Sequence, residues 1–142
     1  MRGVNMKFLQ SITSLLRKGA PGFSVLEAAL LDEVERHLDV DRADRLRRRI
    51  ESINLVQRLD GGREVNAYAL KNGKPAFEEA TRLIAEDDER KLATFSFIGA
   101  NQISYEGTAW LVNGQLFSLE FNNPTEHALD DRPTDVKLSI CI

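Results

Sequence analysis

Apolar residues recur at helical spacing in three stretches before residue 54. The first stretch lies within residues 6–18, the second begins after Ser24, and the third begins after Asp41. Steps of three and four residues place side chains on one face of a helix. The apolar stripes are Phe8, Leu9, Ile12, Leu15 and Leu16, then Leu26, Leu30, Val34 and Leu38, then Ala43, Leu46, Ile50 and Ile53. The pattern therefore predicts about three N-terminal helices.

Polar and glycine positions predict where these helices begin and end. Ser24 is followed three residues later by Glu27, the spacing of a capping box, so it predicts the start of the second helix, which ends near Asp39. Asp41 is expected to cap the third helix. Gly19 and the following Ala-Pro-Gly break end the first helix. Residues 1–22 are then a detachable amphipathic helix with its linker.

The pattern changes to strands after residue 54. Segments 55–59 and 63–70 flank an Asp-Gly-Gly turn and predict a hairpin. Pro75 is expected to open an inserted helix, because proline suits the first helical position. The remaining predicted strands are 92–98, 103–112, 115–122 and 136–142. We therefore predict a single α+β domain over 1–142, with a mostly antiparallel sheet of about six strands after the helices.

The dipeptide Asn113-Gly114 is typical of a two-residue type I′ hairpin and would set the sheet register. Pairing Val112 with Gln115 places Trp110 opposite Phe117 if no bulge intervenes. The expected core face then holds Trp110, Val112, Phe117, Leu119 and Phe121. The expected open face holds Tyr105, Leu111, Leu116, Ser118, Glu120 and Asn122. We expect function, if the sheet carries it, on the open face.

Composition and charge exclude several classes of protein. The chain has 142 residues, 42% of them hydrophobic, and a net charge of −3. This is ordinary for a globular domain, and it lacks the basic excess of a nucleic-acid binder. The run of arginines from Arg42 to Arg49 has acidic residues four positions away, at the spacing of helical ion pairs. We therefore interpret this run as a salt-bridged helix face. One cysteine, Cys141, no apolar run long enough to span a membrane and no signal peptide predict a cytoplasmic protein.

Candidate chemistry is sparse. His127 lies in a polar loop with Asp130 and Asp131, and such a group could act as a general base. That loop offers too few ligands for a metal, and no glycine-rich phosphate loop is present, so we expect neither metal nor cofactor. The order of elements is similar to the cone-shaped α+β fold of ketosteroid isomerases and their relatives. That resemblance would require a polar cluster in an apolar pocket, for which Tyr105, Glu120 and Tyr68 are candidates.

The leading functional hypothesis is a non-catalytic protein-binding module, with an inhibitor, immunity or chaperone-like role. It rests on the scarcity of catalytic motifs and on one acidic segment, which would steer a basic protein partner. That segment is Glu86, Asp87, Asp88 and Glu89. The alternative is a ligand-binding protein, or an isomerase or hydrolase-like enzyme, with its pocket on the open face. A homodimer through the last strand or the first helix is also compatible with the sequence.

Overall fold

A computed structural model describes residues 19–142 of the chain, so the helix predicted over 6–18 lies outside the described residues. Two helices, α1 (Val25–Arg36) and α2 (Val40–Ser52), precede a six-stranded sheet, rather than the three predicted helices. The strands are β1 (Leu55–Leu59), β2 (Glu64–Tyr68), β5 (Arg90–Ile98), β6 (Ser104–Val112), β7 (Gln115–Phe121) and β8 (Thr134–Ile140). Two short strands, β3 (Leu70–Lys71) and β4 (Lys74–Pro75), form a separate hairpin.

The sheet has the order β1-β2-β7-β6-β5-β8, and every neighbouring pair is antiparallel. The α+β class and the mostly antiparallel six-stranded sheet are therefore confirmed. The hairpin predicted around the Asp-Gly-Gly turn is also present, with a 3₁₀ turn over Asp60–Gly62 between β1 and β2. β1 and β8 lie at opposite edges of the sheet.

The capping box predicted for α1 is present. The Glu27 N–H donates to Ser24 Oγ at 3.2 Å, and the Ser24 N–H donates to Glu27 Oε1 at 2.8 Å. The Glu27 carboxylate is completely buried and also binds the Arg58 guanidinium, with a distance of 2.8 Å between Arg58 Nε and Glu27 Oε2. This hydrogen bond is the main cause that raises the pKa of Arg58. Glu27 thus joins the start of α1 to strand β1.

The start of α2 differs from the prediction. Asp39, not Asp41, is the N-cap: the Arg42 N–H donates to Asp39 Oδ1 at 2.9 Å. Asp41 lies in the first turn and pairs with Arg45 at 3.1 Å. Asp39 caps better because α1 already ends at Arg36, and the extended backbone of Asp39 suits an N-cap.

The arginine-rich helix α2 is largely a salt-bridged surface, as expected, with Arg45 and Arg48 bound to carboxylates one turn earlier. Arg49 is the exception, because it is 2% exposed and faces the sheet. Its Nε donates to the Leu116 carbonyl at 2.9 Å and its Nη1 donates to the Ala76 carbonyl at 3.1 Å. Burial lowers the pKa of Arg49 to about 10, so it is still a cation at neutral pH.

The helix predicted from Pro75 is absent. Pro75 lies in β4, and the segment that follows contains only a 3₁₀ turn over Glu79–Thr81. Its carbonyl groups are bound by distant side chains instead of by helical N–H groups: Arg49 binds the Ala76 carbonyl and Gln115 binds the Glu78 carbonyl. Because these contacts satisfy the backbone, the segment wraps the end of the β6–β7 hairpin without forming a helix.

Both helices cover one face of the sheet, which we call the core face. Leu26, Leu30, Val34 and Leu46 are completely buried there. The sheet residues in this core include Val56, Val65, Ala67, Phe95, Phe97, Ala109, Leu111, Leu116 and Leu119. The opposite face, which neither described helix covers, is called the open face below.

Candidate functional site on the open face of the sheet

A one-residue bulge in β7 decides which side chains lie on the open face. The Asn113-Gly114 turn and the Val112–Gln115 pair are present as predicted, and Leu111 then pairs with Leu116. Trp110, however, pairs with Ser118, so Phe117 is the extra residue. A single added residue exchanges the faces of a strand. Trp110, Val112 and Phe117 therefore lie on the open face, not in the predicted core.

The same bulge removes Tyr105 from the open face, where it was expected with Leu111 and Leu116. Tyr105 is buried in the core, and its ring stacks on Phe97 with a centroid distance of 5.0 Å. Its hydroxyl donates to the Pro124 carbonyl at 3.2 Å and accepts a hydrogen bond from Asn101 at 2.9 Å. These contacts satisfy the hydroxyl, so Tyr105 has a structural role. Ser118 and Glu120 do lie on the open face, as predicted.

Small hydroxyl side chains cover the half of the open face formed by β5, β6 and β8, which we call the polar half. Thr94 pairs with Thr108 on one side and with Ser139 on the other. Ser96 likewise lies between Glu106 and Lys137. A depression of about 790 Å³ lies over these residues. Its lining also includes Glu120 and Asn122. The lining of the depression provides hydrogen-bond donors and acceptors, and it includes side chains of both charges.

Glu120 is the candidate whose surroundings the structure defines best. Trp110 Nε1 donates to Glu120 Oε1 at 2.7 Å, and in the register Glu120 lies between Thr108 and Glu64. The Trp110 ring also has the Lys91 ammonium 5.7 Å from its centroid. A carboxylate held in this way is a fixed acceptor for a ligand that brings N–H or O–H groups.

The half of the open face formed by β1, β2, β7 and the end of β6 is apolar, and we call it the apolar half. It consists of Leu55, Tyr68, Val112 and Phe117, with Leu70 packed against them. The Tyr68 and Phe117 rings meet edge to face, with centroids 5.4 Å apart. Burial, and secondarily the charge of Glu64, raises the pKa of Tyr68, so its hydroxyl is a donor at neutral pH. It donates to Gln57 Oε1 at 3.4 Å.

His127 lies in the loop between β7 and β8, and its side chain is 85% exposed. Its Nε2 lies 3.6 Å from Glu126 Oε1, whereas no hydrogen bond or ion pair joins it to Asp130 or Asp131 in the part of the chain that the structure describes. The loop itself is anchored, because the Thr125 hydroxyl donates to the Gly62 carbonyl at 3.1 Å. The structure thus separates His127 from the polar half of the open face and gives it no orienting partner of the kind that a general base requires.

The acidic segment is partly neutralised by neighbouring arginines. Arg82 lies 2.5 Å from Asp87, and Arg90 lies 3.1 Å from Asp88. The hydrogen bond to Asp87 is the main cause that raises the pKa of Arg82. Glu86 is exposed and lines a groove beside the end of β8. Of the four predicted partner-binding residues, Glu86 is therefore the one that the structure brings to β8.

β8 is the last strand of the sheet and pairs only with β5 among the described strands. Val136, Leu138 and Ile140 pack against the core, and Lys137, Ser139 and Cys141 are exposed, as the alternation predicted. The groove at its end is lined by Arg42, Ile84, Ala85, Glu86, Arg90, Lys91, Cys141 and Ile142. The outer backbone edge of β8 is thus a second candidate surface.

The sequence contains a signal for the polar half that the predictions did not use. Thr94 and Ser96 alternate with Phe95 and Phe97 in β5, and this alternation is the usual mark of a strand with one polar face. Within residues 19–142, no group of three or more His, Cys, Asp or Glu residues could hold a metal ion. In the same range, no helix is long and apolar enough to cross a membrane.

Comparisons of the chain with protein-family models, with curated proteins and with solved structures found no match.

Proposed function

We propose that this protein is a non-catalytic protein-binding module and that its binding element is the outer edge of β8. One observation carries the proposal: no described strand pairs with that edge of the seven-residue strand. A row of backbone N–H and C=O groups is a template for an extended segment of another protein. An inhibitor, immunity or chaperone-like role would use such a contact.

The hydrogen-bond pattern identifies the groups that a partner would use. The Cys141 N–H donates to the Leu92 carbonyl at 2.8 Å, towards β5. Because the direction of hydrogen bonding alternates along an antiparallel strand, the Ser139 N–H also faces β5. The N–H groups of Leu138 and Ile140 then point to the outer edge, where a partner strand would accept them.

The carboxylate of Glu86 supports a partner segment that carries a basic residue, and the same groove also contains Arg42, Arg90 and Lys91, which would accept an acidic residue beside it. Glu86 is exposed in the groove at the end of β8, whereas Asp87 and Asp88 are paired with Arg82 and Arg90. An exposed carboxylate beside an edge strand would determine the register of an added strand, and it would contribute less to the affinity for that strand.

The test compares two substitutions of one residue. Leu138→Pro removes the outward N–H and places a ring at the edge, whereas Leu138→Ala loses the same apolar contact but keeps the N–H. Each tagged protein is used to capture partners from its native lysate, followed by mass spectrometry. We expect one stoichiometric partner with the unaltered protein and with Leu138→Ala, and its loss with Leu138→Pro.

Recovery of the protein alone, or equal capture by both variants, would contradict the proposal. Loss of the partner with both variants would assign the contact to the Leu138 side chain and would contradict the edge-strand mechanism. Thermal unfolding of both variants shows that each remains folded. Sedimentation of the purified protein identifies the case in which the partner is a second copy of this chain.

A second candidate function is the binding of a small polar ligand in the depression on the polar half. The convergence of Thr94, Thr108 and Ser139 with the carboxylate of Glu120 supports it. The depression is lined by the sheet alone, and Tyr105 does not contribute to it. A site of this form favours binding over the enzyme alternative, because His127 also lies elsewhere.

A further inference from the structure

A β-bulge limits the part of the β8 edge that an added strand can use. The register between β5 and β8 shifts near the start of β8, where the pairs are Ile98 with Thr134 and Ser96 with Lys137. β8 has one residue more than β5 in this interval, and Asp135, with a φ of 51°, lies in the left-handed region. A bulge bends its strand and interrupts regular pairing. The regular part of the outer edge is therefore residues 137–141.

The side chains of this segment alternate between apolar and polar. Leu138 and Ile140 pack against the core but are only partly buried. Lys137, Ser139 and Cys141 point to the other side and are exposed. Because neighbouring strands share the same pleat, an added strand would continue this alternation. Its apolar side chains would cover Leu138 and Ile140, and its other side chains would lie beside the polar half of the open face.

The ammonium group of Lys137 has no counter-charge among the described residues. Its neighbour in the register towards the sheet is Ser96, and Glu106 follows one strand further, about 10 Å away across two inter-strand spacings. The ammonium of Lys91, by contrast, lies 5.7 Å from the centroid of the Trp110 ring. Lys137 thus places an uncompensated positive charge on the open face, at the outer edge of the sheet.

The direction of the backbone hydrogen bonds determines how closely a partner side chain would approach Lys137. Because Cys141 donates towards β5, the outward hydrogen-bonding residues are Leu138 and Ile140. For an antiparallel added strand, Lys137 then belongs to a non-hydrogen-bonded pair. The Cα atoms of such a pair are about 4.5 Å apart, against about 5.5 Å in a hydrogen-bonded pair. Opposite charges at this position would therefore be in close contact.

We propose that the segment bound by β8 is an antiparallel strand of another protein, with an acidic residue opposite Lys137 and apolar residues opposite Leu138 and Ile140. The chemistry of this partner rests on the proposed function of β8 as a binding edge. Opposite charges directly across two strands stabilise their pairing, and like charges oppose it. A second copy of this chain does not fit the charge. Paired through residues 137–141, it would offer only Lys137, Ser139 or Cys141 on the open face, and none of these is acidic.

The carboxylate of Glu86 is compatible with the same partner. Glu86 lines the groove beside Cys141, at the other end of the segment from Lys137. The distance from position 137 to position 141 is about 13 Å along a strand. One partner strand can therefore carry a basic residue near Glu86 and an acidic residue opposite Lys137 without contact between the two.

The test uses two short synthetic peptides of alternating valine and threonine. One has glutamate and the other has lysine in place of the threonine opposite Lys137. Each is titrated into the full chain, and binding is followed by the amide NMR signals of Leu138 and Ile140. We expect the glutamate peptide to bind roughly threefold to tenfold more tightly, because an attractive cross-strand pair replaces a repulsive one.

Two variants of the protein form a matched pair. Lys137→Glu reverses the charge at the edge, whereas Lys74→Glu makes the same change in β4, outside the six-stranded sheet. We expect Lys137→Glu to bind the lysine peptide more tightly than the glutamate peptide. Lys74→Glu should keep the original preference. Unchanged chemical shifts in α1 show that each variant is folded.

The orientation of the added strand is tested by methylation of single peptide nitrogens. In an antiparallel pair, the peptide residue opposite Leu138 donates its N–H to β8, whereas the residue opposite Ser139 directs its N–H away. Methylation of the first nitrogen should abolish binding of the glutamate peptide. Methylation of the second should preserve it. The reverse result would contradict the antiparallel orientation.

The outcomes separate this proposal from the binding role of the edge. Equal binding of both peptides, or a preference that Lys137→Glu leaves unchanged, would overturn the assigned partner chemistry. If Leu138→Pro still abolishes that binding, the edge remains the binding element. Binding that Leu138→Pro leaves intact would overturn both. Absence of binding by either peptide would overturn the partner chemistry, while capture from the lysate tests the edge independently. A dimer of the purified protein that Leu138→Pro converts to a monomer would assign the edge to a second copy, against the proposal.

Discussion

At the scale of single residues, Glu27 connects local structure with tertiary structure. Its backbone and one carboxylate oxygen close the capping box with Ser24, while the carboxylate also binds Arg58, 31 residues later. The first contact is evident from the sequence spacing, because a capping box is local. The second depends on how α1 packs against β1, and no local pattern identifies Arg58 as the partner.

Replacement of Glu27 should separate these two roles. Glu27→Gln keeps an oxygen for the Ser24 N–H but leaves the Arg58 guanidinium, with 21% of its side chain exposed, without its counter-charge. We expect a loss of about 1–3 kcal/mol in the free energy of unfolding, reduced by the partial exposure of Arg58. Glu27→Ala should lose about 1 kcal/mol more, because the Ser24 N–H then also loses its carboxylate acceptor, while the Glu27 N–H still donates to Ser24 Oγ. Denaturant titration measures both.

Glu33→Gln is the matched control for this prediction. Glu33 also pairs with an arginine, Arg36, at 2.9 Å, but the Arg36 side chain is 64% exposed. An exposed pair of this kind contributes about 1 kcal/mol or less. Equal stability of Glu27→Gln and Glu33→Gln would mean that the buried pair does not contribute more than a surface pair.

At the scale of elements, two Asn-Gly turns have nearly the same backbone but different surroundings. Asn72 and Gly73 have φ values of 53° and 76°, and Asn113 and Gly114 have 52° and 72°. Both turns close antiparallel pairs. A side chain at Gly73 would meet no atom within 4 Å, whereas a Cβ at Gly114 would lie 2.4 Å from the Ile84 carbonyl oxygen.

The two glycines therefore form a matched pair for substitution by alanine. Gly73→Ala should lower the free energy of unfolding by about 1–2 kcal/mol, the cost of a left-handed backbone at a residue with a Cβ. Gly114→Ala should lower it by about 2–4 kcal/mol, because segment 82–84 must also move. Thermal or denaturant unfolding tests this order. Equal losses would indicate that the segment around the β6–β7 hairpin yields without cost.

Elements with strong local signals could be predicted from the sequence. Which face of each strand is buried against the helices could not be predicted in the same way. The turn at Asn113-Gly114 is where it was predicted, but the bulge at Phe117 places Trp110 and Val112 of β6 on the open face, whereas Ser118 and Glu120 keep the face that was predicted for them. Nothing in the alternation of β7 marks this residue, since Leu116, Phe117 and Leu119 are all apolar. The helix expected from Pro75 fails for a similar reason. Its carbonyl groups bind Arg49 and Gln115, which are distant in sequence.

At the scale of the whole molecule, the sheet has one covered face, one open face and two different edges. β1 has Ala20 bound at its outer side through Val56, while β8 has no described neighbour there. The two candidate surfaces are neighbours, because the edge of β8 adjoins the polar half of the open face. Ala20 lies at the other edge, beside the apolar half.

Hydrogen exchange should show that the outer edge of β8 is open. The amides of Leu138 and Ile140 are expected to exchange at least roughly tenfold faster than that of Ser139, because only Ser139 donates to β5. Residues Ser118 and Leu119 in β7, which has a strand on each side, should exchange slowly without alternation. Uniformly slow exchange along β8 would mean that another strand already occupies its edge.

The positions of Ala20 and β8 also determine how this fold can be combined with other domains. Ala20 lies outside β1, so the full width of the sheet separates it from β8. Six inter-strand spacings correspond to roughly 29 Å across a flat sheet. Insertion into a loop of a host domain is easiest when the two junctions are close, so a segment that runs from Ala20 to β8 is poorly suited to it. Segments joined at these two positions would instead be held at opposite edges of the sheet.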